Sequence, residues 1–379
     1  MMHRVSRRGL LVIPVLALAL TGMAGAAIAA DPIRIGAILS TTGPGAGAGI
    51  PQRNGLQLAV KLANEKGGIN GRPVQLIVED DGSSPDVAVT KANNLIFSQK
   101  VEAIIGPTLT ASTLAVGGVA DPAKIPVMAF TGLGVAMEKT RRCVFHMLPS
   151  QDLNARALLE VATKGLGVKK LGVLHDSAYG NIVMAKIREV GPDYPVEIVA
   201  VEKWEVGATD ATTQAAKVKA ASPDAVAVIG NSATPFRNTR QIRMTVPLLS
   251  ALGTATYEYV KAMGDAADNI VFAEFLVAED PLPGQAAFVE AFRKEYGVLP
   301  KTMEASAWDA FNAVAAGLAK VGTDAAPGSL CEAIRGPFDG AMARFDFSKD
   351  DMTGLTLQSY VFSKLDKGKF VRLPFKAGS

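Results

Sequence analysis

Side chains that bind metals or carry redox chemistry are scarce in this chain. Its 379 residues hold two cysteines, Cys143 and Cys331, and three histidines, His3, His146 and His175. That excludes a zinc site of paired cysteines and a histidine-rich metal centre. With two tryptophans and six tyrosines there is no aromatic ladder on which single-stranded nucleic acid would stack. Charge of one sign is lacking as well. The 39 Lys and Arg stand against 36 Asp and Glu, too even a balance for a surface that binds polyanions. No nucleic-acid partner is expected. Beyond the first thirty residues no apolar run is long enough to span a bilayer. A Gly-x-Ser-x-Gly elbow and the spacing of a zinc metalloprotease are also missing. His175-Asp176-Ser177 sets three catalytic residue types in a row, but a triad needs them to converge in space around an oxyanion hole. His146, in "CVFHML", reads as structural. No catalytic constellation, metal or cofactor is expected.

The first thirty residues stand apart. Arg4, Arg7 and Arg8 precede the apolar run "GLLVIPVLALALTGMAGAAIAA" without one acidic residue. A basic start, an apolar centre and a small-residue tail make a secretory signal peptide over residues 1–30, cleaved at Ala29 or Ala30. "SRRGLL" leaves the general secretory route and the twin-arginine route both open. No cysteine near the cleavage site offers a lipid anchor. The product is expected free in the periplasm. Removing three arginines leaves 36 basic residues, equal to the acidic count. In an oxidising compartment Cys143 and Cys331 are free to pair, and the reading leans towards a bridge over two buried thiols.

Short β-branched runs then alternate with helical stretches. Strands are expected at 33–39, 73–81, 101–106 and 125–130. After a connecting stretch near 140–150 they resume at 169–175, 196–204, 224–230 and 246–252. Helices are expected at 55–67, 111–120, 181–190 and 211–221, the last capped by Thr209 or Asp210, with another from Ser84-Pro85-Asp86. Two successive series of strand–helix–strand units mean two doubly wound α/β lobes with parallel sheets. Helices at 285–296 and 304–320, with late strands near 341–347 and 357–363, return the chain to lobes already built. The division expected is residues 31–147 with 276–346 as lobe 1, and 148–275 with 347–379 as lobe 2.

Two loops carry chemistry. "TTGPGAGAGIPQRNG" is a Gly-rich strand-to-helix loop, but Gly-x-Gly-x-x-Gly fails at Ile50 and no Gly-Lys-Ser/Thr follows, so it is no nucleotide loop. A plain turn and a small-ligand loop remain open there. "GPTLTAST" (106–113) closes the third strand and opens a helix. Thr108, Thr110, Ser112 and Thr113 set hydroxyls beside helix N-terminal amides, an arrangement suited to a carboxylate. In an open α/β sheet, ligands sit at this carboxyl end of the strands. Asp80, Asp81 and Asp86, interleaved with Ser83, Ser84 and Pro85, read as a turn and helix start rather than a metal site.

The strings "IRIGAILSTTGPGA", "NEKGGINGRPVQLIVEDD", "AIIGPTLTAS", "LGVLHDSAYG", "FRKEYGVLP" and "ASAWDAFNAVAAGLAKVG" together resemble the periplasmic solute-binding proteins of branched-chain amino acid ABC importers, from about Pro32 to the C-terminus. The resemblance implies a type I fold in which the two lobes are joined by crossover strands and close like a flytrap. It implies a small-molecule carboxylate ligand, a membrane permease as partner, and a monomer. It places the carboxylate hydroxyl on Thr110, and a second carboxylate-binding segment on "FTGLG", with Thr131 and the backbone around Leu133. From the second lobe it brings Tyr179 and the loop Asn231, Ser232 and Ala233, with Phe236 just beyond. The family's acidic partner for a ligand ammonium falls on Leu252, with Glu258 the nearest acid. Two aromatic positions of the family fall on Ala48 and Met303. A buried ammonium without a carboxylate partner costs several kcal/mol, roughly. The expected ligand is therefore a hydrophobic or aromatic organic acid without an α-amino group, with a branched-chain or other amino acid as the alternative. An α/β enzyme using the Gly-rich loop for a cofactor is the third reading.

Overall fold

The computed structural model describes residues 1–3, 31–322 and 326–378; the expected signal peptide lies almost wholly outside them. The first sheet is built from β1 (Ile33–Leu39), β2 (Val74–Asp80), β3 (Ala103–Ile105), β4 (Val127–Ala129) and β5 (Val144–His146). Its order is β2-β1-β3-β4-β5, all parallel. Between its strands run α1 (Ala46–Glu65), α2 (Pro85–Asn93), α3 (Thr110–Ala120) and the short α4 (Val135–Glu138).

The second sheet repeats the permutation. After α5 (Gln151–Glu160) come β6 (Lys170–Asp176), α6 (Tyr179–Val190), β7 (Glu197–Trp204), α7 (Thr212–Ala220) and β8 (Ala225–Ile229). Then follow α8 (Thr234–Gln241), β9 (Leu248–Ser250), α9 (Tyr257–Met263) and β10 (Ile270–Glu274). The parallel order is β7-β6-β8-β9-β10. Past β10 the chain returns to the first unit: α10 (Ala286–Tyr296) and α11 (Thr302–Val321) pack on α1, and α12 (Ser329–Ile334) on α11. The antiparallel pair β11 (Pro337–Asp339) and β12 (Arg344–Asp346) stands apart. Finally β13 (Val361–Asp366) and β14 (Lys369–Arg372) extend the second sheet antiparallel beyond β10. The fold is thus the expected pair of doubly wound α/β units, with two antiparallel strands added to one of them.

Local departures from the sequence reading have physical causes. The stretch near 140–150 carries β5. The Gly-rich segment is not a loop through its length, because α1 begins at Ala46. Its glycines serve close approach. A Cβ on Gly49 would lie 2.1 Å from the Ser40 carbonyl oxygen, and one on Gly55 2.1 Å from that of Glu304 in α11. Helix propensity yields here to backbone-to-backbone packing. Asp210 does not cap α7 directly: Ala211 is the N-cap residue, and Asp210 accepts from the amide and hydroxyl of Thr212. Ser84 does cap α2, with Pro85 in its first turn. Asp80 and Asp81 tie the loop after β1 to the loop after β2, accepting from Thr41, Thr42 and Ser40.

Among the described residues the chain crosses between the sheets three times, from β5 to α5, from β10 to α10 and from β12 to β13. Buried bonds pin these crossings. Lys301, at the start of α11, pairs with Glu274 at the end of β10 at 2.5 Å, and lies over the Phe370 ring. The Phe275 amide donates to Thr302 Oγ1, and the Tyr360 hydroxyl donates to Asn154 Oδ1 at 2.6 Å. Cys143 and Cys331 form a disulfide with a Cα separation of 5.2 Å, tying the approach to β5 to α12.

Candidate functional site

Both sheets turn the carboxyl ends of their strands towards one cavity of about 500 Å³. The first unit contributes Ala48 and Gln52 of α1, Thr108 to Ala111 after β3 and Phe130 and Thr131 after β4, and the crossing from β5 into α5 adds Leu148, Gln151 and Asn154. The second contributes Asp176 and Tyr179 at the end of β6, Trp204 ending β7, Asn231 and Ser232 after β8, and Leu252 after β9, while Met303 of α11 closes one side. Ligands bind outside the strand ends where the strand order reverses, and here two such edges face each other.

The polar part of the first wall centres on α3. Its N-cap residue is Leu109, which makes no side-chain cap, so the amides of Thr110 and Ala111 open the helix without an intrahelical acceptor. Thr110 Oγ1 and Thr131 Oγ1 are hydrogen-bonded at 2.9 Å. Two hydroxyls and the positive end of a helix dipole converge on one point of the wall, which suits an anion. Thr108 is occupied otherwise: it accepts from the Ser40 amide and donates to Gln52 Oε1 at 2.7 Å. Ser112 and Thr113 are fully buried and off the cavity wall.

Behind Thr131 lies a buried acid and base. Glu138 and His146 are both almost fully buried, with His146 Nε2 and Glu138 Oε1 3.8 Å apart. His146 Nδ1 bonds the Thr131 carbonyl. Glu138 accepts from the amides of Leu133 and Gly134. Burial raises the Glu138 carboxyl to about 7, against those two amides, and lowers the His146 imidazole to about 4. These contacts correct one expectation. The Leu133 amide is committed to an internal carboxylate, and Leu133 is not on the cavity wall.

Among the other expected residues, Ala48, Tyr179, Asn231, Ser232, Leu252 and Met303 share the cavity with Thr110 and Thr131. The Tyr179 hydroxyl donates to the Leu252 carbonyl at 3.2 Å, and burial pushes its phenol upwards. Ala233 and Phe236 do not line the cavity. Ala233 is the N-cap residue of α8, and Phe236, three residues on, turns into the core beside Trp204 and Val228 with no exposure. Glu258 is exposed on α9.

Residues beyond those expected complete the site. Gln52, Asn154 and Trp204 add polar and aromatic surface. Asp176 is the one carboxylate among the described residues of the wall, and no Lys or Arg joins it there. Its place as the last residue of a strand was the available signal. Among the described residues no three His, Cys, Asp or Glu gather as a metal site, and no helix is long and apolar enough to cross a membrane.

The sequence pattern of the family described as "Periplasmic binding protein" matches residues 32–369. The leucine-, isoleucine-, valine-, threonine- and alanine-binding protein of Pseudomonas aeruginosa is 25% identical over 326 residues, 84% of this chain and 86% of that protein. Among solved structures, the branched-chain amino acid transporter substrate binding protein of Streptococcus pneumoniae, in complex with isoleucine, superposes with a TM-score of 0.82 at 24% identity, covering 90% of this chain and 100% of its own. A solute binding protein of an ABC transporter from R. palustris, in complex with benzoate, superposes with a TM-score of 0.80 at 22% identity, covering 90% and 96%.

Proposed function

Because the chain belongs to the periplasmic binding protein family, we propose that it captures a hydrophobic or aromatic carboxylic acid between its two lobes in the periplasm and delivers it to the permease of an ABC importer. The observation that carries this reading is the composition of the cavity wall. Thr110, Thr131 and the start of α3 offer donors to an anion, while Ala48, Phe130, Leu148, Met303, Leu252 and Trp204 supply a mostly apolar remainder. Leu252 stands where the resemblance puts the acid that pairs with a ligand ammonium. Similar folds serve both classes, since one neighbour holds isoleucine and another benzoate, so the choice rests on these side chains.

The mechanism follows from the division of the wall. In an open form the first lobe presents Thr110, Thr131 and the α3 amides. Contacts to Tyr179, Asn231 and Trp204 form only when the lobes approach, so ligand binding shifts the population towards closure. The closed protein, acting as a monomer, is the species handed to the permease.

A second reading, an amino acid ligand, draws support from Asp176, the one carboxylate on the wall. Thermal-shift and calorimetric titrations with benzoate, 4-hydroxybenzoate, aliphatic acids, leucine and valine test both. A ligand at about a hundred times its Kd stabilises the folded state by about 2.7 kcal/mol. Stabilisation by leucine or valine and by none of the acids would overturn the organic-acid reading.

A further inference from the structure

We infer that Asp176 selects ligands bearing a hydrogen-bond donor remote from their carboxylate, so that the substrate class is the hydroxylated aromatic acids. The inference deepens the organic-acid reading and rests on it. Asp176 ends β6 and is 3% exposed. Its Oδ1 accepts from the amides of Ala178 at 3.0 Å and Gly180 at 2.6 Å, and its Oδ2 from the amide of Asn231 at 3.2 Å. A carboxylate offers about four acceptor positions, so one on Oδ2 is left over. That oxygen is in a defined corner. A Cβ placed on Gly230 would lie 2.6 Å from Asp176 Oδ2 and 2.6 Å from Trp204 Cζ2. The carboxylate and the indole edge therefore converge on the same glycine, and both side chains line the cavity.

The position of this corner decides what donor suits it. The anion-binding hydroxyls of Thr110 and Thr131 belong to the first unit, whereas Asp176 and Trp204 belong to the second, on the opposite wall. An α-ammonium is one carbon away from its carboxylate, and the position that the resemblance gives its acidic partner is the apolar Leu252. A hydroxyl across an aromatic ring is directed to the other wall. Seated there, the ring packs on Trp204 and its hydroxyl donates to Oδ2, a charge-assisted bond. No Lys or Arg among the described residues of the wall neutralises Asp176, so a ligand without a donor leaves that acceptor facing apolar surface. Sites built to bond a ligand hydroxyl reject the analogue that lacks it far more strongly than apolar pockets reject a missing methylene.

The test is a calorimetric series on the purified protein with benzoate, 4-hydroxybenzoate, 4-methoxybenzoate and leucine, repeated on Asp176→Asn. The expected result is 4-hydroxybenzoate bound at least tenfold more tightly than benzoate, and 4-methoxybenzoate no better than benzoate. In Asp176→Asn the ratio of hydroxylated to plain acid falls towards one. A merely structural role would weaken all ligands alike and preserve that ratio. Thermal melting without ligand checks that the variant folds, and the series on the unaltered protein judges the inference even if it does not. Benzoate and 4-hydroxybenzoate bound equally, or an unchanged ratio in folded Asp176→Asn, would overturn the role of Asp176 and leave the organic-acid reading standing. Binding of leucine with neither aromatic acid would overturn both.

Discussion

Removing the Thr110 hydroxyl tests the anion site most directly. Thr110 Oγ1 is bonded to Thr131 Oγ1 at 2.9 Å, so Thr110→Ala deletes one of the proposed donors to a ligand carboxylate and leaves Thr131 without its neighbour. A hydrogen bond to a charged group is worth about 1.5–3 kcal/mol, which corresponds to a roughly ten- to hundredfold rise in Kd. Fold stability should change little. Leu109, not Thr110, is the N-cap residue of α3, and no side chain caps that helix. The assay is calorimetry on a carboxylic acid ligand and on the corresponding neutral alcohol. Thr110→Ala should weaken the acid and leave the alcohol nearly unaffected, and Thr110→Ser should restore the acid. Equal losses for acid and alcohol, or an acid Kd within threefold of the unaltered protein, would refute the assignment of Thr110 as a carboxylate donor.

Other consequences concern the frame that holds this site. Gly55→Ala places a methyl group against the Glu304 carbonyl of α11, where a Cβ would lie at 2.1 Å; overpacking should lower unfolding stability by about 1–3 kcal/mol in urea titrations. The disulfide links residues 188 apart in sequence, so Cys143→Ser with Cys331→Ser should cost about 2–5 kcal/mol, seen as a lower melting temperature that matches the reduced unaltered protein. Glu138, raised by burial to about 7 from an ordinary 4.5, is protonated in both folded and unfolded states below about pH 4.5 and ionised in both above about 7. Its contribution to stability is therefore lost as pH rises through that window, by about 3 kcal/mol in all. Glu138→Gln should remove this slope from the difference between the two urea-derived stability curves, and parallel curves from pH 4.5 to 8 would show that Glu138 does not titrate there.

The parts of the fold legible in the sequence were those whose signal is local. Runs such as "IRIGAIL" and "KKLGVLH" declared buried strands because both faces of a parallel sheet are covered, and they lie at β1 and β6. The first turns of α1 were hidden because Gly47, Gly49 and Pro51 argue against helix, and what overrides them is the contact with Ser40, a tertiary fact. β5 was hidden by its brevity and by Arg141 and Arg142 just before it. The same division holds in the site. Thr110 and Thr131 follow strand ends, so the chain order alone puts them at the edge that lines the cavity. Phe236 failed because closeness to a loop does not set the phase of the helix that follows, and α8 turns that ring into the core. Asp176 was weighed against its chain neighbours His175 and Ser177, whereas the Asn231 amide and the Trp204 ring that complete its corner come from the loop after β8 and the end of β7.

The electrostatic character of the cavity follows from that arrangement. No cation among the described residues lines it, so a ligand carboxylate meets hydroxyls and peptide dipoles rather than a salt bridge. Such donors act at short range and need no counter-charge to be desolvated, which avoids the penalty of burying an ion pair. They also provide little long-range attraction. A chain carrying 39 basic against 36 acidic residues adds no strong overall field. Capture should then depend on fit and closure more than on steering, and the association rate of an anionic ligand should vary weakly with ionic strength. On the proposed reading, discrimination is left to the walls: an anion at α3, a ring among Leu148, Met303 and Trp204, and a far substituent at Asp176.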